Sequence, residues 1–537
     1  MAEVKSATST GGGLVVANDQ RAADAGALML SHGGNAVDAA VATAFALAVT
    51  EPFLSGIGGG AWMVGHHEPS GTSFLVNGPI TAPNAATPDM FSAVDSADPV
   101  GFYGWPEVVD DANIVGARSI GVPGAVAALC LAQQRLGALA LDVVLQPAIM
   151  LAAEGHEVDW LASALTTAEA SGLARYDASA ALFLPGGLPP APPVNGPGRW
   201  LVQPELAATL EAIATGGADA FYRGPVSTAL TSAIRAAGGL ITSDDMAGYQ
   251  AGWENPATAV FGDVELLGPL YTGFPTTVQM LRLLTRFGAQ PGSRADTVST
   301  WARAMSTAFA DRFALMSTDT RDRTPWSELM GARGEPAVRD RSTAAVVGTA
   351  SHSGCTSHIS VVDTQGTVVS LTQTVLDLFG SRFLEPNTGI LLNNGMLYFD
   401  PRPGRINSVH PGLAGLSAVS PTVVRRAGTP IAAFGASGGR RIISAVAQIA
   451  HNFLAGDSLH AALQAPRLHV ESGAAWLDPA FGDTAAQQLH ELGLRTTVTE
   501  EMPTTFHYGR ANGVSRTSPH AWTGVADASK PVGLAAG

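Results

Sequence analysis

Residues 356–363 read TSHISVVD, and residues 367–374, after a turn at residues 365–366, read TVVSLTQT. Polar and apolar side chains alternate in both segments, and β-branched residues are frequent, which predicts the two antiparallel strands of a hairpin. From about residue 331 to residue 354 the periodicity is lost and small polar residues dominate, which predicts a solvated, mobile linker. A hairpin that follows such a linker is a place where a chain can be cut while the new end stays rigidly held.

Thr356, at the head of the hairpin, is a candidate nucleophile. A hydroxyl nucleophile needs a base, and an N-terminal threonine carries one in its α-amino group, whose pKa lies near neutrality. Cleavage between Cys355 and Thr356 would create that group. Cysteine is the stronger intrinsic nucleophile, so Cys355 is an alternative at this point.

Length and composition bound the class of protein. A chain of 537 residues with 46% hydrophobic content can bury a large core, which predicts one or two globular units. The net charge of −15 and the absence of a basic run argue against nucleic-acid binding. Lysine occurs only at Lys5 and Lys530, which leaves little basis for Schiff-base chemistry.

Nothing in the sequence indicates a membrane span, a metal site or a cofactor. No window of about 18 uncharged apolar residues is present, and the first residues have no apolar core of the secretory type, so a cytoplasmic location is expected. Cys130 and Cys355 are expected to be thiols and form no metal signature. Glycines 58–60 lack the GK[ST] of a phosphate loop and follow a helical segment, so they predict tight backbone packing.

The organisation of the first part of the chain is mainly helical. A short apolar strand at residues 13–17 precedes a helical run from residue 20 to residue 48, and residues 121–250 again show a helical pattern with polar interruptions. The proline-rich residues 185–193 predict an exposed loop.

The hairpin residues resemble the start of the processed small chain in the γ-glutamyltranspeptidase family, which follows a pattern like T-[TS]-H-x-S-V-V-D. Further segments match in order along the chain: GGNAVDAA at 33–40, EP at 51–52, VPG at 122–124, QPA at 146–148, GLIT at 239–242 and ADR at 310–312. The resemblance implies an α+β fold, the four-layer αββα sandwich of N-terminal-nucleophile hydrolases. It also implies a precursor cut into a large chain, residues 1–355, which ends in the linker at about 331–355, and a small chain, residues 356–537, that stay together as a heterodimer.

The resemblance also implies catalytic roles. Thr356 matches the nucleophile, and Thr374 matches the second threonine, whose hydroxyl polarises the first. Gly438 and Gly439 match the pair whose backbone N–H groups form the oxyanion hole, where the missing Cβ atoms allow close approach. The motif keeps its histidine and serine in register only when Thr356, rather than Cys355, comes first.

The departures from the family lie at the substrate contacts. Pro79 stands where members that act on γ-glutamyl compounds have an arginine for the α-carboxylate, and a proline ring offers no donor. Leu376, Gly395 and Tyr398 occupy the positions of the α-ammonium contacts, and Ser417 remains from a serine pair whose second member is Ala418. Losing this clamp would remove several hydrogen bonds of roughly 1.5–3 kcal/mol each. Leu376 and Tyr398, together with Tyr271 and Phe274, predict a more apolar site.

The sequence therefore predicts an autoprocessing threonine hydrolase that works through an acyl-threonine intermediate on a small-molecule amide or acyl substrate. We expect the substrate not to be γ-glutamyl, and the acylase-like or biosynthetic branch of the family fits best. Three alternatives stay open: hydrolytic C–C bond cleavage in 4-alkylproline antibiotic biosynthesis, a glutathione hydrolase or γ-glutamyltransferase, and a non-catalytic binding homologue.

Overall fold

The computed structural model describes residues 4–94, 105–194, 196–288, 295–317, 324–331, 354–502 and 504–537. The strands are β1 Val4–Thr10, β2 Leu14–Ala17, β3 Gly60–His67, β4 Thr72–Gly78, β5 His156–Glu157, β6 Trp200–Leu201, β7 Gly252–Glu254, β8 Ala257–Phe261, β9 Val264–Gly268, β10 Cys355–Val362, β11 Val368–Leu376, β12 Leu384–Glu385, β13 Ile390–Leu391, β14 Thr422–Arg426, β15 Thr429–Ser437, β16 Leu468–Glu471, β17 Ala474–Leu477, β18 Arg495–Val498, β19 Arg510–Ser518, β20 Ala521–Asp527 and β21 Gly533–Ala536. The helices are α1 Gln20–Ser31, α2 Ala36–Thr50, α3 Ala125–Leu136, α4 Leu141–Glu154, α5 Trp160–Ala168, α6 Ala170–Leu173, α7 Asp177–Phe183, α8 Pro204–Tyr222, α9 Pro225–Ala236, α10 Ser243–Gly248, α11 Phe274–Arg286, α12 Ala295–Leu315, α13 Thr324–Met330, α14 Arg441–Leu454, α15 Leu459–Gln464 and α16 Asp483–Glu491.

Two seven-stranded antiparallel sheets form the centre of the molecule. One has the order β21-β2-β10-β11-β3-β4-β7, and the other has the order β1-β20-β19-β15-β14-β9-β8. The predicted hairpin is confirmed, because β10 and β11 pair from Val362↔Val368 to Cys355↔Leu376. Gly366, at φ 91°, supplies the left-handed conformation that the connecting turn requires.

The sheets stack face to face and carry helices on their outer faces. Side chains such as Val362 and Val514 fill the space between the sheets, which lets apolar strands bury both faces. Helices α1 to α4 and α8 cover the sheet that contains β10, whereas α11, α12, α14, α15 and α16 cover the other sheet. This arrangement confirms the predicted four-layer αββα sandwich.

The predicted helical run from residue 20 to residue 48 is two helices rather than one. Gly33 adopts φ 83°, and Asn35 caps α2 by accepting from the N–H groups of Val37 and Asp38. The Asn35 N–H donates in turn to the carboxylate of Asp38, which completes a capping box. The periodicity of the apolar residues continued across this break, so periodicity alone did not reveal it.

The glycine cluster after α2 packs as predicted. A Cβ atom on Gly58 or Gly59 would collide with the backbone oxygen of Leu391 or Thr374. No disulfide joins the described residues Cys130 and Cys355, and both are buried. Most of the predicted linker, residues 332–353, lies outside the described residues. In the described ranges, no helix has the length and apolar character to cross a membrane.

Candidate active site

Thr356 lies in an irregular position at the start of β10. The pairing of β10 with β11 shifts register between Cys355 and Ser357, so Thr356 occupies a bulge and its side chain is not aimed as in a regular strand. The side chain is buried, at 3% exposure. The peptide bond between Cys355 and Thr356 is thereby held at the end of the central sheet.

Thr374, on the neighbouring strand, contacts both the Thr356 hydroxyl and the carbonyl of Cys355. Its hydroxyl donates to the carbonyl oxygen of Cys355 and accepts from the N–H of Leu376 at 2.8 Å. The Thr356 hydroxyl faces it at 3.5 Å, the outer limit of a hydrogen bond. One donor and two acceptor sites are used, which is the full capacity of a hydroxyl. The two threonines that the sequence selected are therefore in contact.

Gly438 and Gly439 form the connection between β15 and α14. Gly438 has φ 124° and Gly439 has φ 60°. Residues that carry a side chain rarely adopt the backbone conformation of Gly438. Their N–H groups lie at the start of a helix of 14 residues, where backbone amides favour negative charge.

Contacts between the two sheets show which end of β15 lies near Thr356. The hydroxyl of Ser370, which pairs with Ser360, donates to the Phe434 carbonyl at 3.0 Å. One residue further along β15, a Cβ on Gly435 would overlap the ring of His358. Residue numbers along β15 therefore rise while the residue numbers they face on β10 fall toward Thr356. The glycine pair, which follows the end of β15, thus lies at the Thr356 end of the sandwich.

His358 is a structural residue between the sheets. Its Nδ1 lies 2.8 Å from the Thr372 hydroxyl and its Nε2 lies 3.1 Å from the Ser360 hydroxyl. Burial lowers the pKa of His358 to about 3, because the protonated ring would lose its hydration. The imidazole is therefore neutral near pH 7.

The residues predicted to replace the substrate clamp lie close together. Leu376 and Tyr398 belong to one apolar cluster that also contains Ile80, and a Cβ on Gly395 would overlap Ile80. Pro79 precedes Ile80, and its carbonyl accepts from the Tyr249 hydroxyl at 2.5 Å.

Ser417 joins this group through Tyr398. Its hydroxyl lies 3.5 Å from the Tyr398 hydroxyl, and burial raises the pKa of Tyr398 to about 12, so that hydroxyl is neutral. The side chain of Phe274, by contrast, is buried in the core between β9 and α11, against Gly268. The prediction that Phe274 contributes to the apolar site is therefore wrong. An aromatic residue next to a loop can pack inward, and sequence does not show which way it turns.

Glu51 is a functional candidate to which the sequence assigned no role. Its carboxylate accepts from the Ser357 hydroxyl at 3.1 Å and lies 3.6 Å from the guanidinium of Arg510. The Ser357 hydroxyl also accepts from Ser55 at 2.9 Å. Burial raises the pKa of Glu51 to about 7, an effect that Arg510 only partly offsets. The signal was a lone acidic residue directly after a fully buried apolar helix.

Arg312 is a second functional candidate to which the sequence assigned no role. Its fully buried guanidinium donates to the carbonyl of Thr272 at 2.7 Å and to the carbonyl of Ser417 at 2.6 Å. It therefore ties the loop before α11 to the segment that carries Ser417. The sequence showed only that Arg312 lies in an ADR motif.

A buried network anchors the start of α14, next to the glycine pair. Arg440 donates to Glu471 at 2.7 Å, His469 lies 3.3 Å from Glu471, and Ser444 lies 2.8 Å from His469. Burial alone would raise the pKa of Glu471, but the charge of Arg440 lowers it to about 2. Ser444 is buried, and these contacts hold the start of α14 in place.

Within the described ranges, no group of three His, Cys, Asp or Glu side chains is arranged to hold a metal ion. The chemistry that the site offers comes from hydroxyl groups, backbone N–H groups and a peptide bond placed beside them. A four-layer αββα sandwich with such a strand end defines the class of N-terminal-nucleophile hydrolases.

Comparison with known proteins identifies the family. The model of the family described as Gamma-glutamyltranspeptidase matches residues 22–537, so the chain belongs to this family and is a hydrolase. The acylase ACY 1 proenzyme of Pseudomonas sp. (strain V22) is 36% identical over 503 residues, which cover 91% of this chain and 87% of that protein. The glutathione hydrolase proenzyme of Escherichia coli (strain K12) is 32% identical over 526 residues, which cover 92% of this chain and 87% of that protein.

A solved structure agrees with this assignment. The crystal structure of cephalosporin acylase from Bacillus halodurans superposes with a TM-score of 0.85 at 25% identity, covering 99% of this chain and 96% of that one. Together with the proenzyme relatives, this supports an autoprocessing N-terminal-nucleophile hydrolase that acts on amides.

Proposed function

We propose that Thr356 cuts the chain at Cys355–Thr356 and then serves as the nucleophile of a hydrolase that forms an acyl-threonine intermediate. The contact that carries this proposal is the hydrogen bond from Thr374 to the Cys355 carbonyl, made by the same hydroxyl that the Thr356 hydroxyl faces. A donor on the carbonyl oxygen stabilises the negative charge that attack would place there.

In the processing step, Thr356 Oγ1 attacks the carbonyl carbon of Cys355. The new C–O bond forms, the C–N bond breaks, and the threonine nitrogen takes the proton that the hydroxyl releases. Water then hydrolyses the ester, which leaves a carboxylate on Cys355 and a free α-amino group on Thr356. Residues 1–355 and 356–537 remain packed together, since β10 lies in the middle of its sheet.

Turnover of a substrate repeats this chemistry with an external carbonyl. The α-amino group of Thr356 accepts the hydroxyl proton, which its near-neutral pKa permits. The N–H groups of Gly438 and Gly439 hold the oxyanion, and water releases the acyl group. Arg440, held by Glu471, keeps the glycine connection in place.

The substrate that we propose has an uncharged or ring-like acyl portion and is not γ-glutamyl. Pro79 offers no cation to a carboxylate, and Leu376 and Tyr398 present apolar surface where an ammonium group would need acceptors. A role in a biosynthetic pathway, in the cytoplasm, fits such a substrate. Glutathione hydrolysis is the second candidate, because the relative from Escherichia coli covers nearly the whole chain.

Processing is tested by gel electrophoresis and N-terminal sequencing of the purified protein. We expect two bands, with the smaller one starting at Thr356, and a single intact band for Thr356→Ala. Thr356→Ser keeps a hydroxyl and serves as the matched control. A parent protein that stays intact on incubation would contradict the proposal and support a non-catalytic homologue.

Substrate class is tested with p-nitroanilides that differ only in the acyl group. We expect phenylacetyl or branched-acyl compounds to react at least tenfold faster than γ-glutamyl-p-nitroanilide, and mass spectrometry to find the acyl group on the small chain. Faster turnover of the γ-glutamyl compound would establish the second candidate. Cleavage of a C–C bond next to a carbonyl would appear as the same adduct formed from a ketone.

A further inference from the structure

A directed chain of hydrogen bonds ends at the carboxylate of Glu51. The amide of Gln373 donates to the Ser55 hydroxyl at 3.1 Å, and Ser55 donates to the Ser357 hydroxyl at 2.9 Å. Ser357 then donates to Glu51 at 3.1 Å. Every donor points the same way, so the chain needs an acceptor at Glu51. Because Ser357 is the first regularly paired residue after the bulge at Thr356, this chain fixes the base of the bulge.

On its other side, Glu51 meets Arg510 of β19. The two side chains are buried and lie 3.6 Å apart. Arg510 pairs with Ser437, the residue before Gly438, and its carbonyl accepts from the Ser437 hydroxyl at 3.3 Å. Burial lowers the pKa of Arg510, and the charge of Glu51 is the largest effect that opposes this change. One carboxylate is thus connected to the residue after Thr356 and to the residue before Gly438.

The position of Glu51 is unfavourable for a carboxylate. Glu51 is the C-terminal cap residue of α2, where the helix dipole disfavours negative charge. The carboxylates of Asp19 and Asp159 also oppose its ionisation. Arg510 and Arg21 favour ionisation, although Arg21 is already paired with Asp19 at 2.6 Å. Stability alone does not account for an acid at this position, which indicates a functional role.

We propose that Glu51 is a positioning residue for both the processing step and substrate turnover. Through Ser357 and Arg510, its ionised carboxylate keeps the strand of the nucleophile and the oxyanion glycine of the other sheet at a fixed separation. Glu51 acts through these two partners and needs no contact with the substrate. When the carboxylate is protonated, its attraction to Arg510 is lost and the separation is no longer fixed. This inference rests on the function proposed for Thr356.

The test compares Glu51→Gln with the parent across pH. Glutamine keeps an acceptor for Ser357 but offers no charge to Arg510. Newly translated chain is diluted into buffers from about pH 5.5 to about pH 8.5, on both sides of the pKa of Glu51, and processing is followed by gel electrophoresis. At the upper pH we expect the parent to be faster by roughly tenfold to 100-fold, the effect of misplaced reacting groups. At the lower pH the parent's own Glu51 is protonated, because its pKa is about 7, and the ratio should fall to about fourfold or less.

Turnover by the processed enzyme supplies a second measurement, with phenylacetyl-p-nitroanilide as the substrate. Glu51→Gln should lower kcat by a similar factor and leave KM within about twofold, because the groups that bind the substrate are unchanged. Ser357→Ala removes one hydroxyl only and should slow both processing and turnover. Adding Glu51→Gln to Ser357→Ala should reduce the rate by a smaller factor than it does in the parent, since the link to the nucleophile is already broken.

Glu385→Gln is the matched control, because Glu385 is a similarly buried glutamate whose partners are Asn387 and Thr388. It should leave the processing rate and kcat unchanged. Circular dichroism and the thermal midpoint establish that each variant is folded.

Four results would overturn the role of Glu51 in a parent that processes normally. They are a ratio of parent to Glu51→Gln that does not change with pH, an effect on KM alone, an unchanged rate in Ser357→Ala, and an equal loss in Glu385→Gln. A parent that does not process at any pH would overturn the proposed function together with this inference, so the two failures are distinguishable.

Discussion

Replacing Thr374 by valine should stop processing almost completely while the fold is retained. The change removes the donor to the Cys355 carbonyl and the partner of the Thr356 hydroxyl, and it keeps the β-branched shape on β11. Loss of one such donor slows acyl transfer by roughly 10²- to 10³-fold, or about 2.7–4 kcal/mol of activation free energy. The Leu376 N–H also loses its acceptor, which lowers the free energy of unfolding by roughly 1–3 kcal/mol.

The assay follows newly translated chain in a cell-free system by gel electrophoresis, so that processing is timed from synthesis. Thr374→Ser keeps the hydroxyl and should restore most of the rate. Thr372→Val is the matched control, because it removes an equally buried hydroxyl from the same strand, one that contacts His358 instead. A rate for Thr374→Val within about fivefold of the parent, or an equal slowing in Thr372→Val, would refute the assigned role.

Three further predictions follow from the same geometry. Cys355→Ala should process and hydrolyse substrate within about fivefold of the parent, and loss of both activities would transfer the nucleophile to the thiol. Gly438→Ala should lower kcat by at least about 100-fold, because a residue with a side chain cannot keep φ 124° and the oxyanion donors would shift. The control is Gly428→Ala, also at positive φ but in open space, which should leave kcat unchanged. The pKa of Glu51 in the folded chain, about 7, lies above its ordinary value of 4.5, so the folded state keeps a proton that the unfolded state releases between these pH values. Stability should therefore fall by up to about 3 kcal/mol as pH rises through this window, and the thermal midpoint of Glu51→Gln in the Thr356→Ala background should lose most of this dependence.

The hairpin could be predicted from the sequence because strand pairing across a short turn depends on local rules. Alternation of side chains has a period of two in a strand, and a turn is set by a few residues, so residues 356–374 carry their own structural signal. The break between α1 and α2 was missed, since apolar periodicity runs across it and only the left-handed Gly33 and the capping Asn35 mark it. The inward turn of Phe274 was missed because its burial depends on how α11 packs against the sheet that contains β9.

The sequence by itself determined which residues are candidates for chemistry at Thr356, which clamp residues are absent, and that a hairpin follows residue 355. Only the tertiary structure decided that Thr374 reaches the Cys355 carbonyl and that Glu51 meets Ser357 across 306 positions. The physical reason is the distance along the chain over which each effect acts. Strand alternation and turn chemistry act over a few residues, whereas the stacking of two sheets brings together atoms from distant segments, and only their packing sets the distances between them.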